Sequence, residues 1–179
     1  MKSSRELAVI TLFIASGAVT RIGLGWIALS ARPLYGVLIK VGLTETLAFL
    51  SGLLFGPVQG FVTGSLIIVV SDLYMMPGPW TPFIAAIIGL IGIGGGALHI
   101  LGKNPSPVQL GMSAITLTLV SELLQNIWFA VFFELPIEAT LLMGISSMVT
   151  ALVSNTILFA TVVPRVVRLM RQRGILQPI

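Results

Sequence analysis

The sequence predicts an all-α integral membrane protein, in which residues 1–179 form one domain, a compact bundle of six transmembrane helices. The first observation is composition: 56% of the residues are hydrophobic and 9% are charged, whereas soluble domains carry about 25% charged residues. The second is a mean hydropathy of +1.05. The third is the length of the apolar stretches, because a helix needs about 20 apolar residues to cross the hydrocarbon core.

The predicted spans are separated by short breaks that contain proline or glycine. Proline removes a backbone donor and disrupts helices, so each break is predicted as a loop. The N-terminus superficially resembles a signal peptide but lacks a convincing cleavage site, and we expect it to be retained as the first span. The spans cover residues 6–29, 34–55, 58–75, 81–101, 108–133 and 137–163. The breaks are Arg32-Pro33, Gly56-Pro57, Pro77-Gly78-Pro79, segment 104–107 and Leu135-Pro136.

Spans two and three are joined by a glycine-rich hairpin. Gly52 and Gly56 lie four residues apart before the break. Gly60 and Gly64 lie four apart after it, so each pair shares one helix face. Small residues on such a face let helix backbones approach closely in a bilayer. Because proline suits the first position of a helix, Gly56-Pro57 predicts a very tight turn.

Basic residues are unequally divided between the two sides of the predicted bundle. Six spans place both termini on one side, which collects seven basic residues against one, Arg32, on the other. Arg21 and Lys40 lie nearer the interior or ends of spans and are not counted. Positive residues favour the cytoplasmic side, so we expect a plasma-membrane protein with both termini cytoplasmic and with lipid around it. The seven are Lys2, Arg5, Lys103, Arg165, Arg168, Arg171 and Arg173.

Missing residue types exclude several function classes. The chain has no cysteine and one histidine, His99, so neither a thiol site nor a metal site is predicted. No G-x-x-x-x-G-K-[ST] loop occurs, and the glycines of segment 92–97 lie inside a span, where close packing is their predicted role. No cofactor is expected. The net charge of +4 reflects the basic tail and predicts no nucleic-acid partner.

Polar residues inside spans are the candidates for a binding site, since they are costly in a membrane and tend to line cavities. Glu122, Gln125 and Asn126 stand at i, i+3 and i+4 of span five and share one face. This group is predicted to form the polar rim of a site for a small organic ligand. The alternative is a hydrogen-bonded patch between helices.

Three further polar residues have two interpretations each. Glu45 either contacts ligand or pairs across helices with Arg21 or Lys40. Asp72, at the outer end of span three, is either a ligand contact or a solvated helix end. Asn155 either completes a polar cavity or bridges two helices.

Aromatic residues fall near the outward ends of their spans. Tyr35 and Trp80 are predicted as stacking walls for a flat ligand, while a membrane-interface belt explains the same placement. The group comprises Trp26, Tyr35, Tyr74, Trp80 and Trp128.

The hairpin, its continuation SDLYMMPGPWTPFIAAIIGLIG and the chain length together suggest a family. The chain resembles the substrate-binding S components of energy-coupling-factor (ECF) transporters, which take up vitamins and related micronutrients. The resemblance rests on Gly52, Gly56, Pro57, Gly60, Gly64 and the following Asp72.

This resemblance implies a ligand pocket near the outer face, and assembly with a transmembrane coupling subunit and cytoplasmic ATPases. Family members often dock through an A-x-x-x-A motif on span one. The nearest patterns here are Thr11-x-x-x-Ala15 and Ala15-x-x-x-Val19, with Ser16 and Ala18 nearby. Thr11, Ala15 and Ala18 are the predicted docking residues. The departure from the family motif leaves the docking residues open.

The substrate class follows only weakly from charge. Glu45, Asp72 and Glu122 outnumber the plausible pocket bases, which favours a cationic or neutral ligand such as a thiamine-like molecule. One alternative function is a stand-alone transporter that uses one of these acids to couple protons. Others are an intramembrane enzyme that pairs Glu122 with Asp72, and a structural membrane protein without a ligand.

Overall fold

The computed structural model describes the backbone of residues 4–35, 41–101 and 105–173, and their side chains except at 27–35. Within these ranges the chain forms helices and no strand, which confirms the all-α prediction. Five of the helices are long and apolar enough to cross a membrane. The helices are α1 (Ser4–Tyr35), α2 (Leu43–Phe55), α3 (Pro57–Met75), α4 (Trp80–Ile100), α5 (Pro107–Phe132) and α6 (Ile137–Gln172).

The second predicted span differs most from the structure. α2 has 13 residues, which is about 20 Å of helix against about 30 Å of hydrocarbon. α1 continues to Tyr35, so the predicted break at Arg32-Pro33 lies inside its last turns, and residues 36–40 lie outside the described residues. The prediction of six full-length spans therefore remains a prediction, while five are supported by length.

The predicted hairpin turn is confirmed. α2 ends at Phe55 and α3 begins at Pro57, so one residue joins them. Gly56 has φ of 102°, a conformation that side chains disfavour and glycine adopts without cost. Pro57 occupies the start of α3, where its missing amide needs no partner.

Glycines bring α2, α3 and α4 into backbone contact. A Cβ atom placed on Gly52 would lie 1.9 Å from the carbonyl oxygen of Gly92, and one on Gly60 would lie 2.3 Å from the same oxygen. One on Gly92 would lie 2.1 Å from the carbonyl oxygen of Gly60. No side chain fits there, so the three helices pack at the closest distance that backbones allow. We call these residues, Gly52, Gly60 and Gly92, the glycine seam.

α2 lies at the centre of the bundle and contacts α1, α3, α4 and α6. Its Phe49 packs against Phe159 of α6, with ring centroids 4.4 Å apart, and both side chains are fully buried. None of its residues is exposed, because neighbouring helices surround it. The first turn of α2 is therefore packed among the other helices of the bundle.

α6 is longer than predicted. It continues through Pro164 to Gln172 and has 36 residues, or about 54 Å of helix. The additional turns carry Arg165 and Arg168, both exposed. Because the hydrocarbon core is about 30 Å thick, these turns extend beyond it if α6 crosses the membrane steeply.

Candidate functional site

The helix order brings several helix ends to one end of the bundle. α2 and α4 begin there, and α3 and α5 end there, while α1 begins and α6 ends at the opposite end. We call this the distal end. It corresponds to the outward face that the charge distribution predicts.

A cavity of about 180 Å³ lies in the distal half, between the first turn of α2 and four neighbouring helices. Its walls are mainly aliphatic, and its polar groups come from α1, α2 and α5. A mostly apolar cavity with a few polar groups is the usual form of a small-molecule site, although such sites commonly measure about 300–1,000 Å³. The lining residues are Arg21, Leu24, Gly25, Val41, Thr44, Glu45, Ile68, Ile84, Ile88 and Gln125.

Glu45 supplies a carboxylate at the cavity. It lies in the first turn of α2 and is only 4% exposed. Gly42, which precedes the helix, offers no side chain to cap it, and a negative group near a helix N-terminus is favoured by the helix dipole. Thr44 adds a buried hydroxyl beside it. Glu45 therefore lies at a cavity, and its contact with a ligand stays a prediction.

Arg21 supplies the positive group. Its Nη1 donates to Ser71 Oγ at 2.6 Å and forms an ion pair with the Asp72 carboxylate. The second carboxylate oxygen of Asp72 accepts a hydrogen bond of 2.6 Å from Thr81 Oγ1. α1, α3 and α4 are therefore linked by one polar cluster beside the cavity.

Asp72 is buried and ion-paired, so it is not a solvated helix end. It does not belong to the described cavity lining, and its two oxygens are taken by Arg21 and Thr81. The sequence predicted an excess of acids at the site. Among the described lining residues there is instead one acid, Glu45, and one base, Arg21.

The three polar residues of predicted span five, which lie in α5, have different surroundings. Gln125 lines the cavity, and its Nε2 donates to the Ser121 carbonyl oxygen at 3.2 Å. Asn126 donates to the Glu122 carbonyl oxygen at 2.8 Å and packs against Gly144 of α6. Successive helical residues differ in direction by about 100°, so neighbouring side chains reach different surroundings. Glu122 is buried but lies outside the described cavity lining.

Asn155 bridges two helices, one of its two predicted roles. Its Nδ2 donates to Thr118 Oγ1 on α5 at 2.9 Å, and it is 1% exposed. Its side chain also lies against Gly42, whose amide donates to Ser154 Oγ at 2.9 Å. These contacts fix the start of α2 against α6 and so position Glu45 at the cavity.

Trp80 and Tyr35 were predicted to stack on a ligand, and the structure describes the side chain of Trp80. Trp80 is partly buried and packs on Gly78 at the distal end, outside the described cavity lining. Tyr35 lies in α1, but its side chain is outside the described residues. Trp26 and Tyr74 are 62% and 74% exposed at the same end, which fits a membrane-interface belt.

The predicted docking residues of α1 divide between two faces. Thr11 and Ala15 are exposed, whereas Ala18 is 3% exposed and packs inside the bundle. An exposed docking face therefore cannot include Ala18. Positions 15 and 18 are directed about 60° apart around the helix, and the boundary between the exposed and buried faces of α1 falls between them.

Arg21 and Thr44 line the cavity but were not among the residues predicted to bind a ligand. A signal existed for Arg21, because an arginine in the middle of an apolar helix is costly and marks a cavity or a partner. Thr44 gave no such signal, since threonine is common in membrane helices. Among the described residues no group of three or more His, Cys, Asp or Glu side chains could hold a metal ion.

No protein-family model, curated protein or solved structure matches this chain.

Proposed function

We propose that the chain is the solute-binding membrane subunit of an importer, similar to the S components of ECF transporters. In this proposal it binds a water-soluble vitamin or precursor at the distal end, which faces outwards, and both termini are cytoplasmic. The observation that supports it is the distal cavity, in which Glu45, Thr44, Arg21 and Gln125 accompany aliphatic walls.

A purely structural role gives a weaker account of this cavity. The cavity of about 180 Å³ has a buried carboxylate, Glu45, at its wall. Ionisable residues at membrane depth are functional candidates by default.

The binding step needs no chemistry from the protein. Aliphatic walls remove apolar surface of the ligand from water, which favours binding. The polar groups then fix the orientation of the ligand, as in most small-molecule sites. Energy for transport would come from a transmembrane coupling subunit and cytoplasmic ATPases, since the sequence has no nucleotide-binding loop of the common type.

The exposed small residues of α1 support a docking face for the coupling subunit. Thr11 and Ala15 lie on the exposed side, and small side chains allow close helix approach in a membrane. Ala18 does not belong to this face because it is buried in the bundle.

The direct test is mass spectrometry of small molecules released by denaturing the detergent-purified protein. A compound at one copy per chain supports the proposal and identifies the substrate. Lipid alone, together with no binding to any of a panel of water-soluble vitamins, would contradict it.

One alternative has a specific observation in its favour. Glu45 is a buried carboxylate at the cavity, which is the position a proton-coupling group would take in a stand-alone transporter. Uptake into vesicles that contain this chain alone, driven by a pH gradient, would favour that function. No observation favours an enzyme that pairs Glu122 with Asp72, because Asp72 is engaged by Arg21 and Thr81.

A further inference from the structure

We infer that the C-terminal part of α6 binds the headgroups of anionic phospholipids through Arg165 and Arg168, which we call the arginine stripe. The stripe lies at the end of the bundle opposite the cavity, so this inference goes beyond the proposed function and does not depend on the solute. Segment 165–173, RVVRLMRQR, has four arginines and no acid. Such a concentration of positive charge favours an anionic partner.

The packing of α6 holds the stripe in a fixed position on the bundle. The helix continues past Pro164 to Gln172, and in this part Val166, Val167 and Met170 pack against the hydrophobic core. Successive residues turn by about 100° around a helix, so the packed residues and the stripe lie on opposite sides of α6. Arginines on a packed helix lose less conformational freedom on binding than arginines on a mobile tail.

The two guanidinium groups of the stripe are available to a ligand. Arg165 and Arg168 are exposed, and among the described residues neither has an ion-pair partner. Their three-residue spacing makes them neighbours on one face, about 4.5 Å apart along the helix axis. A guanidinium can donate two parallel hydrogen bonds to a phosphate. Arg171 follows on the same face and also interacts within the protein.

The face of α6 that carries the stripe is apolar closer to the distal end. Val153 and Ile157 are each 56% exposed, and four-residue steps continue from them through Thr161 to Arg165 on one face. Large exposed aliphatic residues on a membrane span contact lipid chains. Leu169, also 56% exposed, lies beside the stripe. The stripe therefore continues a lipid-facing surface, which favours a lipid headgroup over an acidic protein as its partner.

The length of α6 places the stripe at headgroup level. The helix rises about 42 Å from Ile137 to Arg165, close to the thickness of a bilayer with its headgroup regions, about 40–45 Å. A span that begins among the headgroups at the distal end therefore brings Arg165 to the headgroups of the opposite leaflet.

The charge of the stripe selects among phospholipids. A phosphatidylcholine headgroup has a phosphate and an ammonium group, and the ammonium group is repelled by arginine. A phosphatidylglycerol headgroup has the same phosphate without the positive charge. Each arginine close to an anionic surface favours binding about fivefold, so two arginines together should favour the anionic lipid by more than about tenfold.

Native mass spectrometry of the full-length chain measures this preference. The protein in detergent micelles receives an equimolar mixture of phosphatidylglycerol and phosphatidylcholine with identical acyl chains, and the lipids that remain bound are identified by mass. The wild type should retain phosphatidylglycerol over phosphatidylcholine by at least about tenfold.

Variants test whether the stripe is responsible. The double variant Arg165→Gln/Arg168→Gln should lose the preference, while Arg165→Lys/Arg168→Lys, which keeps the charge but not the paired donors, should keep part of it. Arg173→Gln is the matched control for Arg168→Gln, because it removes one positive charge just past the end of α6. Arg168→Gln should lower the preference about fivefold, and the control should leave it nearly unchanged.

Several results would overturn the inference. Equal retention of the two lipids by the wild type would do so, as would an unchanged preference in the double glutamine variant. Equal losses in Arg168→Gln and Arg173→Gln would show a general attraction to the basic tail instead of a site. Release of phosphatidylglycerol by inorganic phosphate alone would assign the stripe to a soluble anion. No lipid preference, together with loss of a copurifying coupling subunit in the double glutamine variant, would assign it to a protein contact.

Discussion

Backbone contact at the glycine seam predicts that a side chain at Gly92 destabilises the protein. In Gly92→Ala the new Cβ would lie 2.1 Å from the Gly60 carbonyl oxygen, and the two next-nearest atoms also belong to the Gly60 backbone. Ordinary contact begins near 3.4 Å, so α3 and α4 would have to separate by roughly 1 Å. A gap of that size forfeits up to about half of each affected dispersion contact.

Two opposing terms decide the magnitude. Overpacking in a close-packed region typically costs about 1–3 kcal/mol, and the atoms in contact at Gly92 are backbone, which cannot rotate away. Alanine is favoured over glycine in a helix by about 1 kcal/mol. The matched control is Gly111→Ala in α5, which is buried but meets its nearest atom, Thr156 Cγ2, at 3.8 Å. The control should gain up to about 1 kcal/mol.

Thermal unfolding in detergent, followed by circular dichroism, measures the difference. Because the alanine preference offsets about 1 kcal/mol of the overpacking cost, a net destabilisation of up to about 2 kcal/mol should lower the Tm of Gly92→Ala by up to about 8 °C, while Gly111→Ala should melt at or above the wild-type Tm. If Gly92→Ala melted with or above Gly111→Ala, the helices would not be in backbone contact at the seam.

Two further predictions concern the polar cluster and the α1 surface. Thr81→Val removes the hydrogen bond to Asp72 and should destabilise the protein by about 1.5–3 kcal/mol, as for bonds to charged groups, whereas the exposed Thr161→Val should change its Tm little. An equal effect of both variants in thermal unfolding would argue against the cluster. Ala15→Trp should prevent copurification with a coupling subunit without changing ligand affinity, and Ala18→Trp should instead lower the Tm because Ala18 is buried. Normal copurification of Ala15→Trp would assign docking to another face.

Features that depend only on the type of one or two neighbouring residues were predictable from the sequence. Gly56 and Pro57 each restrict the backbone on their own, through positive φ and a missing amide, so the turn between α2 and α3 was predictable. The close packing at the glycines followed in the same way, since no arrangement of neighbours changes the size of a glycine. The start of α2 was not predictable, because residues on both sides of Leu43 are similarly apolar.

The site was only partly predictable because it depends on contacts between distant segments. Arg21 meets Asp72 across 51 positions, and nothing in the sequence distinguishes that pairing from one with Glu45. Gln125 and Asn126 are adjacent and equally polar, yet Gln125 reaches the cavity and Asn126 reaches α6. The residues around each helix face decide such roles, and these are set by the packing of the whole bundle.

Binding of a small solute in the distal cavity is tested most directly by two tryptophan substitutions on α4. Ile84→Trp places a large ring at the cavity wall, and Leu90→Trp places the same ring on an exposed position of the same helix. Native mass spectrometry of wild-type, Ile84→Trp and Leu90→Trp proteins should show one bound small molecule per chain in the wild type and in Leu90→Trp, and none in Ile84→Trp. Equal occupancy in all three folded proteins would place any ligand outside this cavity and contradict the account.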